Sequence, residues 1–245
     1  MKENRGFKQA VPVEEIIDRC LASSDVCDQR KGGDLRHLAM QVQDRWRGRF
    51  AIEGFNASGD LSLTMLCRLQ VAGLVSRAGC ICPHEQFRFA LSIPHRYPLS
   101  LPGVRFVGEM PFCPHVVHRS FMPQMTGIPP ELQEYLRLGE GYCCYLRSSQ
   151  WSVDLSCNLA LVVWQVSRLL TFDKLFGEMG SLNPSARDYA LRLRDQGKTP
   201  LGRSLPYPAE RPSAAGRESA GGASVMDADE SCDAIEWVDH GTIRT

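Results

Sequence analysis

Phe87-Arg88-Phe89-Ala90-Leu91-Ser92-Ile93 decides the fold class. Phe87, Phe89, Leu91 and Ile93 alternate with smaller or polar residues. That period of two places them on one face of a strand. Pro94 ends the strand, because proline lacks the N–H a ladder needs. Upstream, Leu63-Thr64-Met65-Leu66-Cys67-Arg68-Leu69-Gln70-Val71 alternates in part. Downstream, Val104-Arg105-Phe106-Val107 reads as a third short strand after a proline turn. Residues 61–107 therefore predict an antiparallel meander.

Helical spacing surrounds this block. Val13, Ile16, Ile17 and Leu21 mark a short amphipathic helix, which Lys31-Gly32-Gly33 is expected to break. Leu35, Leu38, Ala39, Val42 and Trp46 mark a second helix, with Asp34 as its expected N-cap. Residues 130–136 read as another helix. Residues 155–170 form an apolar stretch shorter than the roughly 20 residues of a membrane span. Asn183-Pro184 opens a last helix, proline being well suited to a first turn. Leu161, Val163, Val166, Phe89, Leu91 and Phe106 are the expected core.

After Lys198 the composition shifts to Pro, Ser, Gly, Ala and charge, which predicts a disordered tail. Ala234-Ile235-Glu236-Trp237-Val238 is an apolar island within it. It reads equally as a segment packing back on the domain or as a docking peptide at 233–239. The expected division is an extension at 1–30, a domain at 31–197 and a tail at 198–245.

Charge excludes one broad class. The chain has 245 residues, with 28 basic and 28 acidic side chains. A generic nucleic-acid binder needs excess positive charge, so none is expected as a partner. Neither a membrane partner nor a secretory signal is expected, and the predicted location is cytoplasmic. Ten cysteines with irregular spacing read as mostly reduced and buried rather than as a disulfide framework.

One constellation carries chemistry. Phe89-Ala90-Leu91-Ser92-Ile93-Pro94 with Tyr97-Pro98, then Pro102, Val104 and Phe106, resembles the second strand, Tyr-Pro turn and next strand of the ubiquitin-conjugating enzymes. Cys113-Pro114-His115-Val116 resembles their His-Pro-Asn-Ile/Val motif. Gly141-Tyr142-Cys143-Cys144-Tyr145-Leu146 precedes Trp151-Ser152 by the family's interval between nucleophilic Cys and Trp-Ser. Leu182-Asn183-Pro184 with Ala186 and Tyr189 is similar to the family's Leu-Asn-x-x-Ala-x-x-Tyr helix start. The order is shared from Gly33 to Leu193, and is nearest to the divergent prokaryotic members.

The resemblance implies a UBC-like α+β fold, an antiparallel four-stranded meander flanked by helices. It implies a transferase that accepts a ubiquitin-like protein from an activating enzyme as a thioester on Cys143. An amine on a target protein then takes it, and the chain itself needs no cofactor. Gly141, Tyr142, Tyr145 and Trp151 are the expected partner-binding residues. Gly139-Glu140-Gly141 would allow close approach of a partner's backbone. Adjacent residues of an extended chain face opposite ways, so Cys144 is expected to pack inward. His115 stands in place of the family's asparagine and is expected to hold the oxyanion or take a proton.

Departures are visible. The segment 118–138 is an insertion between His115 and Cys143, and Val153 stands where the family has proline. With Leu99 and Leu101 in the earlier turn, that change bears on any ligase partner. Three other readings compete. One is a zinc-stabilised domain using Cys80, Cys82 and His84 or Cys113, His115 and His118. Another is a non-catalytic relative that only binds the ubiquitin-like protein. The last is a cysteine hydrolase pairing Cys143 with His115.

Overall fold

The strands run well beyond the segments where alternation is clean. The computed structural model describes residues 12–57, 62–118, 141–145, 151, 158–173 and 182–208. Within them lie β1 (Phe50–Ala57), β2 (Leu63–Arg77), β3 (Cys80–Ile93), β4 (Gly103–Val107), β5 (Val116–Val117) and β6 (Gly141–Cys143). The helices are α1 (Val13–Ala22), α2 (Val26–Asp44), α3 (Leu159–Thr171) and α4 (Pro184–Asp195). The fold is α+β, with an antiparallel sheet ordered β1-β2-β3-β4-β6-β5.

β1 to β4 form a meander of consecutive neighbours. The sheet is larger than the four strands expected, because β6 and β5 extend it. β2 and β3 are also longer than their alternating cores. Arg77 pairs with Cys80 across a two-residue turn in which Ala78 and Gly79 have φ of 48° and 81°. Two positive φ values match the twist of a hairpin, so both strands run on to the turn. β1 was hidden because its register with β2 shifts between Ile52 and Gly54, which breaks its alternation at Glu53.

One face of the sheet is the core. Met65, Cys67, Leu69, Phe87, Phe89, Leu91, Val104 and Phe106 are buried, and α3 covers them with Val162, Val163 and Val166. Of the expected core residues only Leu161 is half-buried instead.

The N-terminal helices differ from expectation. α2 runs through Lys31-Gly32-Gly33 without a break, and the chain turns at Ser23–Asp25 instead. Asp25, not Asp34, is the N-cap, accepting from Cys27 N at 2.7 Å. Gly32 has a packing role. A Cβ there would lie 2.9 Å from Leu21 Cγ, so glycine lets α1 and α2 approach. Asp34 is buried in mid-helix, accepting from the Tyr97 hydroxyl and from Arg30 Nε at 3.0 Å. Lys31 is also buried, paired with Asp28 at 3.0 Å. The boundary drawn after Arg30 thus falls inside α2, and Ile16, Ile17 and Cys20 belong to the core.

The chain stays packed past Lys198. Leu201 N donates to Thr171 O at 2.7 Å, Leu205 N to Ser167 Oγ at 3.0 Å, and Trp46 Nε1 to Pro206 O at 3.0 Å. Leu205 is buried. The tail reading therefore applies at most beyond Pro208. The expected helix at 130–136 and the docking segment 233–239 lie outside the described residues. Among the described residues, no helix is long and apolar enough to cross a membrane.

Candidate active site

Two caps set the frame of the site. Asn158 accepts from Leu161 N at 3.0 Å and starts α3 behind the sheet. Asn183 accepts from Ala186 N at 3.1 Å and starts α4, with Pro184 in its first turn. The residues leading into α4 also clamp the Pro114-His115 loop. Leu182 N and Asn183 N both donate to Pro114 O, at 2.9 and 3.0 Å.

That loop turns into the edge strand of the sheet. Val116 N donates to Cys113 O at 3.1 Å. Val116 then pairs with Cys143, and Val117 with Tyr142. The two ends of the 118–138 insertion are thereby brought together. Residues 119–140 lie outside the described residues, yet the strands flanking them are hydrogen-bonded neighbours. Cys144 N donates to His115 O at 2.9 Å. The long sequence separation between His115 and the cysteines does not separate them in space.

Burial separates the two cysteines, in reverse of the expectation. Cys143 pairs with Val104 on one side and Val116 on the other, all three buried, and is only 1% exposed. Burial, with the neighbouring Cys113 and Cys144 thiols, pushes its thiol well above the usual range. Cys144 is half-buried and open in part to solvent. Cys113 is also buried, its sulfur 3.5 Å from Leu169 O and its pKa pushed up to about 12 by burial. A thiol needs its thiolate form to attack, so Cys113 and Cys143 are poor nucleophiles where they lie.

His115 is half-buried, and burial lowers its pKa to about 4. At neutral pH it is an uncharged imidazole with one ring N–H. That favours oxyanion support over proton removal, since a base this weak accepts protons poorly.

The expected partner-binding residues scatter. Tyr142 is half-buried, with Arg105 as its register partner on the outer face. Tyr145 is buried, its hydroxyl donating to Pro102 O at 2.7 Å, so it fastens the chain after β6 to the start of β4. Gly141 serves the chain's own packing. A Cβ there would meet Met110 Sδ at 2.6 Å, so the close approach it allows is to Met110. Trp151 is half-buried, donates from Nε1 to Pro98 O at 2.6 Å and lies 6.0 Å from the Tyr97 ring. Next to that turn, Leu99 is exposed. Val153 lies outside the described residues.

Among the described residues, metal chemistry finds no ligand set. Cys82 Sγ lies against Cys80 O at 3.9 Å, and His84 packs edge-on to Phe87 with centroids 5.1 Å apart. Among the described residues, no three His, Cys, Asp or Glu side chains gather as a metal would require.

Sequence reasoning missed Cys144 as the accessible thiol. Alternation shows that neighbours diverge, but only the register with β4 tells which turns inward. The chain matches no family model, no curated protein and no solved structure.

Proposed function

We propose that this chain is a ubiquitin-conjugating-type enzyme of UBC-like fold, and that Cys144 rather than Cys143 carries the acyl group. One observation carries the reading. A partly open cysteine, Cys144, is tied by its main chain to His115 at the end of the sheet, while its neighbour Cys143 is buried. The motif order from Tyr97-Pro98 to Leu182-Asn183 supports the family, and Trp151 against Pro98 joins two of those motifs in space.

The proposed reaction has two acyl transfers. Cys144 thiolate attacks the thioester that links the ubiquitin-like protein to its activating enzyme. A new C–S bond forms, and the activating enzyme's thiolate leaves. A target amine then attacks the same carbonyl, which becomes a tetrahedral oxyanion. The neutral His115 N–H is suited to stabilise that charge. The Cys144 thiolate departs, and water takes the amine proton. No cofactor takes part at this chain, since adenylation belongs to the activating partner.

A second reading keeps Cys143 as acceptor. The interval to Trp151 favours it, and β6 would then have to leave the sheet to expose the thiol.

The test combines the chain with an activating enzyme, ATP and a ubiquitin-like protein, on a non-reducing gel. The expected adduct is sensitive to thiol reductant, persists in Cys143→Ala and vanishes in Cys144→Ala. Loss in Cys143→Ala alone would move the acceptor to the buried residue. A wild-type chain that binds the ubiquitin-like protein without any adduct would make it a non-catalytic binding module. With Cys144 as acceptor, His115→Ala should slow discharge to an amine by on the order of 100-fold, while His115→Asn retains it.

A further inference from the structure

The face of the sheet turned away from the core carries a band of arginines. Arg68 of β2 and Arg88 of β3 are direct register partners, a like-charge pairing that is unfavourable by itself. Glu53 bridges them, at 3.3 Å from Arg68 Nε and 2.7 Å from Arg88 Nε. Ala90 lies between Leu66 and Arg105 in the register, so the band continues to β4.

Further along β2, near its middle, a second group of arginines lies beside the start of β1. Gln70 N donates to Arg49 O at 2.7 Å, and Gln70, Arg49, Arg203 and Glu85 line a shallow pocket of about 320 Å³. Burial, and then the nearby Arg203, lower the Arg49 pKa. Among the described residues, the sheet face carries Arg68, Arg88 and Arg105 with Glu53, and the pocket carries Arg49 and Arg203 with Glu85.

The whole chain is neutral, so the balancing charge lies elsewhere. Segment 227–239 carries six carboxylates, from Asp227 to Asp239, and no lysine or arginine. Ile235 and Trp237 interrupt those acids. The described chain ends at Pro208, five residues after Arg203 of the pocket. A linker as long as residues 209–226 has a reach of about 25 Å.

We propose that segment 227–239 docks on the arginine stripe of its own sheet, with its carboxylates against Arg68, Arg88 and Arg105 and Trp237 laid over a guanidinium plane. Opposite charge supplies the attraction, and an indole is the best aromatic partner for a guanidinium. The proposal stands independently of which cysteine forms a thioester.

The test reads Trp237 in the full-length chain. Acrylamide quenching of Trp237 is obtained as the difference between wild type and Trp237→Phe. The expected result is protection at low salt that weakens by about twofold or more in 1 M salt, where the Debye length is about 3 Å. Arg88→Glu should weaken it equally. So should the combined Asp227→Asn, Asp229→Asn and Glu230→Gln. A Trp237 equally open in all these proteins overturns the proposal. Protection that grows with protein concentration overturns it in favour of a second copy. A single-stranded oligonucleotide bound equally with and without the tail acids overturns it in favour of nucleic acid.

Discussion

The two faces of the sheet obey the same alternation and serve different purposes. Inward, Met65, Cys67, Phe87, Phe89, Leu91 and Phe106 are buried against α3. Outward, Thr64, Arg68, Arg88, Ser92 and Arg105 keep contact with water. At the end of β6 that division falls between adjacent cysteines: Cys143 is buried with the apolar face, and Cys144, just past the strand, is partly open. Being a cysteine at the right interval is therefore not enough for chemistry. Burial on the inner face raises the Cys143 thiol's pKa well above the usual range.

The sharpest break of this comparison is Phe89→Ala. Phe89 contacts Phe50 and Phe106 with centroids 6.3 and 6.0 Å away, and its loss should cost about 3–5 kcal/mol in urea unfolding. A loss near zero would mean that the inner face is not the core. His115 comes next, at the boundary between the faces. Its pKa is about 4 folded against an ordinary value near 6.5, so the unfolded chain binds the extra proton between those values. Stability should fall as pH drops through that window, by up to about 3 kcal/mol below pH 4. Urea midpoints from pH 7 to 4 should show this fall in wild type and less of it in His115→Gln.

Gly141→Ala is a smaller intrusion. The new methyl must displace Met110, which is flexible, so the expected cost is about 1–3 kcal/mol by thermal unfolding. The smallest effect belongs to the outer face. Glu53→Gln removes a charge bridging Arg68 and Arg88, both open to solvent, and should cost under about 1 kcal/mol. A cost as large as that of Phe89→Ala would erase the distinction between the faces.

Much of the fold was legible where one physical rule dominated. Period-two apolar spacing marked β3 and the heart of β2, and Asn183-Pro184 marked the start of α4. Rules failed where tertiary contacts outweighed local preference. Gly32 and Gly33 read as a break, yet α2 continues because Gly32 lets α1 pack closely and Lys31 finds Asp28. Asp34 read as a cap, yet Tyr97, distant in sequence, holds it inside. Residues 199–208 read as tail by composition, yet Leu205 and the Pro206 carbonyl are fastened to the domain. In the site, His115 and the cysteine pair were legible as residue types, but their adjacency across the insertion was not.

The sequence by itself determined an α+β chain with an antiparallel sheet, because side-chain alternation is a local property of extended backbone. It also determined that only one of Cys143 and Cys144 could face outward. Tertiary structure decided which one. Pairing of β6 with β4 and β5 sets Cys143 beside Val104 and Val116 in the core, and leaves Cys144 at the end of the sheet, bonded to His115. A one-residue slip of that register would exchange the two thiols, so no reading of the local sequence could choose between them.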